Sequence, residues 1–382
     1  MRSWNNITLG EVLPFKYGKN LPASKRAHSG EYDVVSSAGI IDSHDTAFTT
    51  EPCIVIGRKG SIGSLTYCPD PVWPTDTTFY VTGTPYCDLR FGYYVLQTLP
   101  LNQMNNDSAV PGLNRNDAES LTFFLPPVSE QKAIVKILGS LDDKITVNNK
   151  IIELALKLAK LLPQCVQQEQ QKYKLSEISN LISRGITPKY VEDGFTVLNQ
   201  KCIRNNLVDL NQARQASNLP KNHERILQQY DVLVNSTGYG TLGRISPWLH
   251  ETAQLKTVIT DTHITMIRFD DQKVDPAFAA MVLSTQENAV ANLAEGSTGQ
   301  TELKRELIEN FEIMLPPFAI QHEVSQQIRP LLLAVMTLRD ENQTLARTRD
   351  ELLPLLMSGK ITVRDAEEAS AEVGVDKHEV EE

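Results

Sequence analysis

LPPVSEQKAIVKILGSLDDKI, residues 125–145, joins two unlike pieces of chain. Its Leu-Pro-Pro suits the end of a folded unit, because proline donates no amide hydrogen bond and disfavours helix at the residue before it. The residues beyond it suit the start of a long helix. Ser129 is placed to be an N-cap, and Glu130 falls in the first turn, where the helix dipole favours a carboxylate. Apolar positions then step by four and three: Ile134, Leu138, Leu141, Ile145, Asn148, Ile152, Ala155, Ala159, Leu162. That is a coiled-coil seam carrying one asparagine, closed by Pro163. A helix from 129 to 162 is roughly 50 Å long at 1.5 Å per residue, long enough to act as a spacer.

The stretch has an echo. FEIMLPPFAIQHEVSQQI (311–328) answers LTFFLPPVSEQKAIVKIL (121–138), displaced by 190, with Gln131 and Gln321 in the same place. Upstream, GSIG (60–63) matches GTLG (240–243), TDTTFYV (75–81) matches TDTHITM (260–266), and LGEV (9–12) matches LSEI (175–178). The displacement grows from 166 through 180 and 185 to 190, as loop insertions in a duplicated domain make it. The second seam runs Val324, Ile328, Leu331, Val335, Leu338, Asn342, Leu345, Arg349, Leu352. Pro330 is expected to kink this helix or displace its start, and Pro354 to close it. Asn148 and Asn342 either fix the register of the seam or face water at a frayed point.

Short β-branched runs, YDVVSSAGI, PCIVIG, FTVLNQKCI and HITMIRF, are separated by Gly, Pro, Asn and Asp and read as strands with turns. DLRFGYYVLQTL (88–99) and DPAFAAMVLSTQENAVANL (275–293) read as helices, the second with Asp275 as N-cap and Pro276 in its first turn. The fold class is α+β, a pseudo-twofold internal repeat. The expected domains are 1–125 and 174–315, with helices in 126–173 and 316–360 and a tail at 361–382.

The formal charge of −10 is unevenly placed. The tail holds Arg364 and Lys377 against eight carboxylates, a net −6, and reads as a solvated, disordered end; the remaining 360 residues carry −4. A nearly balanced body with basic loops remains compatible with nucleic acid. No run of about 18 apolar residues occurs and the start, MRSWNNITLGEVL, lacks a signal pattern, so neither a membrane span nor secretion is expected. Five widely spaced cysteines without a CxxC pair suit reduced thiols and a cytoplasmic protein.

The order of variable unit, LPPVSEQKAIVKILGSLDDKI, variable unit, LPPFAIQHEVSQQI resembles the specificity subunit of type I restriction–modification systems. The second copy departs from the pattern, with AIQHE for SEQKA and no LDDKI. The resemblance implies two target-recognition domains separated by two long antiparallel coiled-coil helices, each domain reading one half of a bipartite, asymmetric site in double-stranded DNA. It implies that the helices dock two methyltransferase subunits, through Ser129, Gln131, Leu141, Ile145 and Asn148 on the first and Gln321 and Asn342 on the second. A restriction and translocase subunit completes the complex. S-adenosylmethionine, ATP and Mg2+ are then expected on those partners, with no cofactor, metal or catalytic residue on this chain.

The residues agree with a chain that does no chemistry. There is no [DN]PP[FYW] loop for adenine methylation and no GxxxxGK[ST] phosphate loop; Gly18-Lys19 and Gly359-Lys360 lack the spacing. Glu302-x-Lys304 lacks the Pro-Asp partner of a nuclease, and the seven histidines show no HExxH. The competing readings are a stand-alone DNA methyltransferase or nuclease with an unrecognised site, and a coiled-coil scaffold without a DNA role.

Reading bases takes donors and acceptors at base edges, with cations on phosphates for register. The loop GRKGSIG (57–63) offers Arg58, Lys59 and Ser61 between glycines, and its counterpart NSTGYGTLG (235–243) offers Asn235, Ser236, Thr237, Tyr239 and Thr241, with Arg244 beyond. Lys16 and Lys19 in FKYGKN, Arg184 and Lys189 in ISRGITPKY, and Lys201 and Arg204 in NQKCIRNN complete the candidates. The two units differ at nearly every polar loop position, which suits two different readers.

Overall fold

The computed structural model describes residues 4–104, 112–219, 223–250, 257–294 and 301–371. They form two compact units. One contains the described residues up to Val147 and those from Glu341 onward; the other runs from Asn148 to Asp340. Both boundaries fall inside long helices, Val128–Leu161 and Phe318–Met357, rather than at the Leu-Pro-Pro turns. The reason is burial: neither unit closes its core without a segment of each helix.

In the first unit an antiparallel sheet is ordered Lys16–Tyr17, Thr78–Thr82, Cys53–Gly57, Leu65–Cys68. The helix Leu89–Thr98 packs over it, its N-terminus capped by Asp88, whose carboxylate accepts from the amides of Arg90 and Phe91. Ile54, Ile56, Phe79, Phe91 and Tyr94 share one core with Ile134, Leu138 and Leu141 of the first long helix and Leu345, Leu352 and Leu356 of the second. Arg349 donates to Asp142 at 2.7 Å, and Lys144 pairs with Glu341 at 3.4 Å. As the number rises on one helix it falls on the other, so the segments are antiparallel.

The second unit repeats the plan. Its sheet is ordered Ser179–Arg184, Ile264–Phe269, Val232–Asn235, Ile245–Pro247. Asp275 caps Pro276–Ser284, and a separate short helix, Glu287–Ala291, comes next, so the long pattern from 275 to 293 is two helices. Ile152, Ala155 and Ala159 meet Ile328, Leu332 and Val335 in its core. Each unit also holds a small sheet with one parallel pair, Val34 beside Trp73 in one and Thr196 beside Val258 in the other.

The repeated glutamine explains the repeated Leu-Pro-Pro. Gln131, fully buried, accepts from the Asp88 amide at 2.9 Å and donates to the carbonyls of Tyr86 and Pro126. Gln321 accepts from the Asp275 amide at 3.0 Å and donates to Pro316. One side chain thus ties a capped helix to the turn that launches the long helix. Replacing Gln131 by alanine leaves one amide and two carbonyls without this partner. The expected cost is about 2–3 kcal/mol of unfolding free energy, read as a lower urea midpoint.

Several expectations change. The first long helix begins at Val128, with Pro127 supplying its first carbonyl to Glu130 and Gln131, so Ser129 lies in the first turn instead of capping it. The second helix is continuous from Phe318 to Met357, so Pro330 does not displace its start and Pro354 does not end it. It stops at Gly359, whose φ of 67° lets Lys360 donate back to Leu355 and Gly359 to Leu356, a Schellman closure. The tail is not disordered throughout: Val363–Ala371 is a helix, with Ala366 fully buried in the first core and Ile361, Val363 and Ala369 against it. Residues 372–382 lie outside the described residues. Asn148 is 2% exposed and does not face water, while Asn342 is half-buried. Cys53 and Cys68, fifteen apart in sequence, face each other in register on adjacent strands as free, buried thiols.

Candidate nucleic-acid interface

The two glycine loops close the same sheet position. After Cys53–Gly57, the amide of Gly57 donates to Ser64 and that of Gly63 to Gly57, both at 2.8 Å. After Val232–Asn235, Asn235 donates to Arg244 at 2.9 Å and Gly243 to Asn235 at 2.8 Å. Gly60 and Gly63 have φ of 78° and 70°, Gly240 and Gly243 of 71° and 81°, values that exclude most side chains. The backbone match also corrects the sequence alignment downstream. Gly18 donates to Thr78 and Gly185 to Ile264, so Thr78 corresponds to Ile264, one residue beyond the partner that TDTTFYV and TDTHITM give it.

In the first unit the loop gathers cations. Arg58 lies 5.3 Å from the Tyr17 ring centroid and 5.7 Å from that of Phe79, an arrangement that fixes the guanidinium against the sheet edge. Its Nε is shielded from solvent and meets no acceptor. Lys59 and Ser61 are exposed. Tyr17, Arg58, Lys59, Phe79, Asn114 and Arg115 line an open cleft of about 570 Å³ with no carboxylate among the described residues of its lining. Lys16, exposed on the neighbouring edge strand, donates to Thr82 at 3.1 Å. Lys19 is exposed but sits over Phe48 and Trp73 at 5.7 and 5.9 Å, away from the cleft lining. The sequence reading overlooked Arg115 and the platform formed by Tyr17, whose place in FKYGKN beside the lysines was the available signal.

In the second unit several candidates prove to be internal. Asn235 is fully buried and donates to the carbonyls of Gln200 and Thr241; Ser236 is fully buried against Thr265 at 2.6 Å. Neither reaches a groove, because both belong to the strand end that the loop closes over. Arg184 pairs with Glu302 at 2.9 Å and donates to Thr262 and Leu303, and Arg244 donates to Ile203 and Gly240, so both brace loops. Two of the asparagines near Arg204 are likewise engaged: Asn199 caps a turn and donates to Gln212, and Asn206 donates to Ile245 and Ser284, while Asn205 is exposed. Facing outward are Lys201, Arg204, Lys189 and Tyr239, with Thr237 and Thr241 half-buried. Thr237 is bonded to His263 at 2.6 Å and Thr241 to Gln200 at 3.3 Å. Burial pushes the neighbouring Asp261 carboxyl up from its ordinary range.

The sequence profile of the type I restriction modification DNA specificity domain matches residues 1–156 and again 167–345. The chain belongs to that family. Two relatives come from Methanocaldococcus jannaschii. The type I restriction enzyme MjaVIII specificity subunit is 24% identical over 295 residues, 69% of this chain and 68% of that subunit. The putative MjaX specificity subunit is 25% identical over 280 residues, 66% of this chain and 62% of that subunit. The crystal structure of the type I restriction–modification S subunit from M. genitalium superposes with a TM-score of 0.63 at 18% identity, covering 93% of this chain and 96% of that one, and shares its fold. The two profile matches coincide with the two copies of the repeat.

For a member of the specificity family, the second surface of interest is where other subunits attach. Of the seven residues that the resemblance implies for docking, four are buried and a fifth packs in a core. Gln131, Leu141, Asn148 and Gln321 are each 2% exposed or less, and Ile145 packs in the first core, because the seam joins the two long helices to each other and to the domains. Ser129 is exposed. A different face of the first helix is open: Ile151, Leu154, Leu158 and Leu161 are 44, 57, 47 and 42% exposed. Their spacing of three, four and three is itself a heptad stripe. The repeat does not duplicate it, since Glu341, Thr344, Thr348 and Glu351 stand at the matching positions of the second helix. Among the described residues no helix is long and apolar enough to cross a membrane, and no group of three or more His, Cys, Asp or Glu is arranged to hold a metal.

Proposed function

We propose that this chain is the sequence-reading, non-catalytic subunit of a type I restriction–modification complex. Each unit reads one half of an asymmetric bipartite DNA site. The observation that carries the reading is one glycine loop built twice on the same sheet position with unlike side chains: Arg58 and Lys59 beside an open cleft in one unit, Tyr239 on a loop braced by Gln200, the neighbour of Lys201, in the other. Arg58 is suited to fork onto guanine O6 and N7, and Lys59 to a phosphate. The open stripe Ile151–Leu161 is the docking face for a methyltransferase subunit. That partner supplies S-adenosylmethionine and methylates adenine, and the restriction subunit with ATP and Mg2+ joins the same complex.

The test is methylation mapping in cells carrying this chain with its methyltransferase subunits. Arg58→Ala is expected to relax one base position in one half-site, with discrimination falling about 10- to 100-fold there and the other half unchanged. Loss of fidelity in both halves, or methyl transfer by the purified chain alone, would refute the reading.

A further inference from the structure

We infer that Tyr239 inserts into the base stack of the half-site read by the second unit, which therefore carries a pyrimidine–purine step at the point of insertion. The inference rests on the DNA-reading role proposed above and adds a mode of contact that only one of the two readers uses.

The closing hydrogen bonds show how the loop came to differ. The first spans residues 57–63 and the second 235–243, two residues more between the same backbone contacts. Tyr239 stands at the tip of that longer loop and is 103% exposed, as open as a tyrosine in an extended peptide. A ring that buries nothing adds nothing to the fold, yet its support is rigid. Gly238 and Gly240 flank it with φ of 110° and 71°, and a Cβ on Gly238 would collide with Gln200 Oε1. The amides of Thr241 and Leu242 both donate to Gly238, and Arg244 donates to the Gly240 carbonyl at 3.0 Å. The loop is thus a braced post with an aromatic ring at its top.

Its surroundings suit DNA. Lys201, exposed, comes directly after Gln200, whose carbonyl and side chain hold the foot of the loop through Asn235 and Thr241. A cation beside a projecting ring is the pairing that lets a wedge separate adjacent bases while a flanking phosphate is neutralised. Stacking on an aromatic face tolerates any base, so the sequence preference comes from the ease of unstacking, which is greatest at TA and CA/TG steps. In the first unit the corresponding loop holds Arg58 down over Tyr17 and Phe79, with no ring at its tip, so only one half-site is deformed.

The test uses the full chain assembled with its methyltransferase subunits and duplexes carrying the mapped site. 2-Aminopurine is placed at successive positions of each half. The wild-type complex is expected to raise fluorescence at one pyrimidine–purine step of one half-site. Tyr239→Ala removes that signal and weakens binding about tenfold without changing the salt dependence, and Tyr239→Phe retains both signal and affinity. Lys201→Ala lowers the salt slope by about one and keeps the signal. A signal at the methylated adenine comes from base flipping by the partner subunits and is expected to persist in Tyr239→Ala, whereas a signal that persists at the pyrimidine–purine step counts against insertion. Specific binding with no Tyr239-dependent signal overturns the insertion while the reading role stands. Absence of sequence-dependent binding by the wild-type complex overturns both. Loss of subunit assembly in Tyr239→Ala would make the ring a protein contact and overturn the insertion as well.

Discussion

Leu154→Glu combined with Leu158→Glu is expected to abolish assembly with the methyltransferase subunit while leaving the chain folded. Both side chains are about half exposed in the chain by itself, so the new carboxylates face water and cost the fold little. In the complex the same positions would be covered. Two half-exposed leucines forgo about 1 kcal/mol each of apolar burial, and two unpaired charges at a dry contact add several kcal/mol more. Affinity is expected to fall at least about 100-fold. Sedimentation of the mixed subunits reads the loss, and an unchanged thermal midpoint of the free chain shows that folding is intact. Normal assembly of the double variant would place the docking face elsewhere.

Arg268→Ala is expected to be strongly destabilising to the second unit. Arg268 makes a two-armed contact with Asp231, 2.8 and 2.6 Å, and also donates to the carbonyls of Glu224 and Ile226. Asp231 is 1% exposed, and burial pushes its carboxyl up from the ordinary range even against this arginine. Without Arg268 the carboxylate is left charged and unpaired, at a cost of about 3–5 kcal/mol. A carboxyl whose pKa is raised in the folded state favours folding most when protonated, so that contribution fades as pH rises through the raised pKa. The deficit of Arg268→Ala relative to wild type should therefore shrink as pH is lowered toward the raised pKa of Asp231. Adding Asp231→Asn should recover most of it, because the asparagine oxygen still accepts from Gln228, as Asp231 does at 2.7 Å. Urea unfolding of the three variants at two pH values checks both statements. A deficit that does not vary with pH would mean that packing, not the stranded charge, sets the cost.

Much of the architecture was legible because it is periodic or repeated. The steps of four and three from Ile134 to Leu162 marked the buried seam, and every apolar member of it is buried or packed on a core. The N-cap role of Asp275 was legible from the Asp-Pro that opens its helix. Gly60 and Gly63 announced the loops because positive φ leaves few alternatives to glycine. The recognition side chains were harder. Arg184, Asn235, Ser236 and Arg244 have the chemistry of DNA contacts but hold loops together, and the sequence carries no mark that separates a donor turned inward from one turned outward. The exposed stripe of Ile151, Leu154, Leu158 and Leu161 was not legible because a helix with apolar residues on two faces does not say which face meets its own chain.

By itself, then, the sequence determined the duplication, the two long helices and the presence of polar, glycine-braced loops, since local spacing and repeated order follow the chain. Tertiary structure alone decided where the units divide, that Gln131 and Gln321 are internal ties, that Cys53 meets Cys68, and that Tyr239 stands clear of everything around it. Hydrogen-bond partners and solvent exposure are set by residues distant in sequence. The same arginine or asparagine therefore serves as a brace or a reader according to what the fold brings beside it.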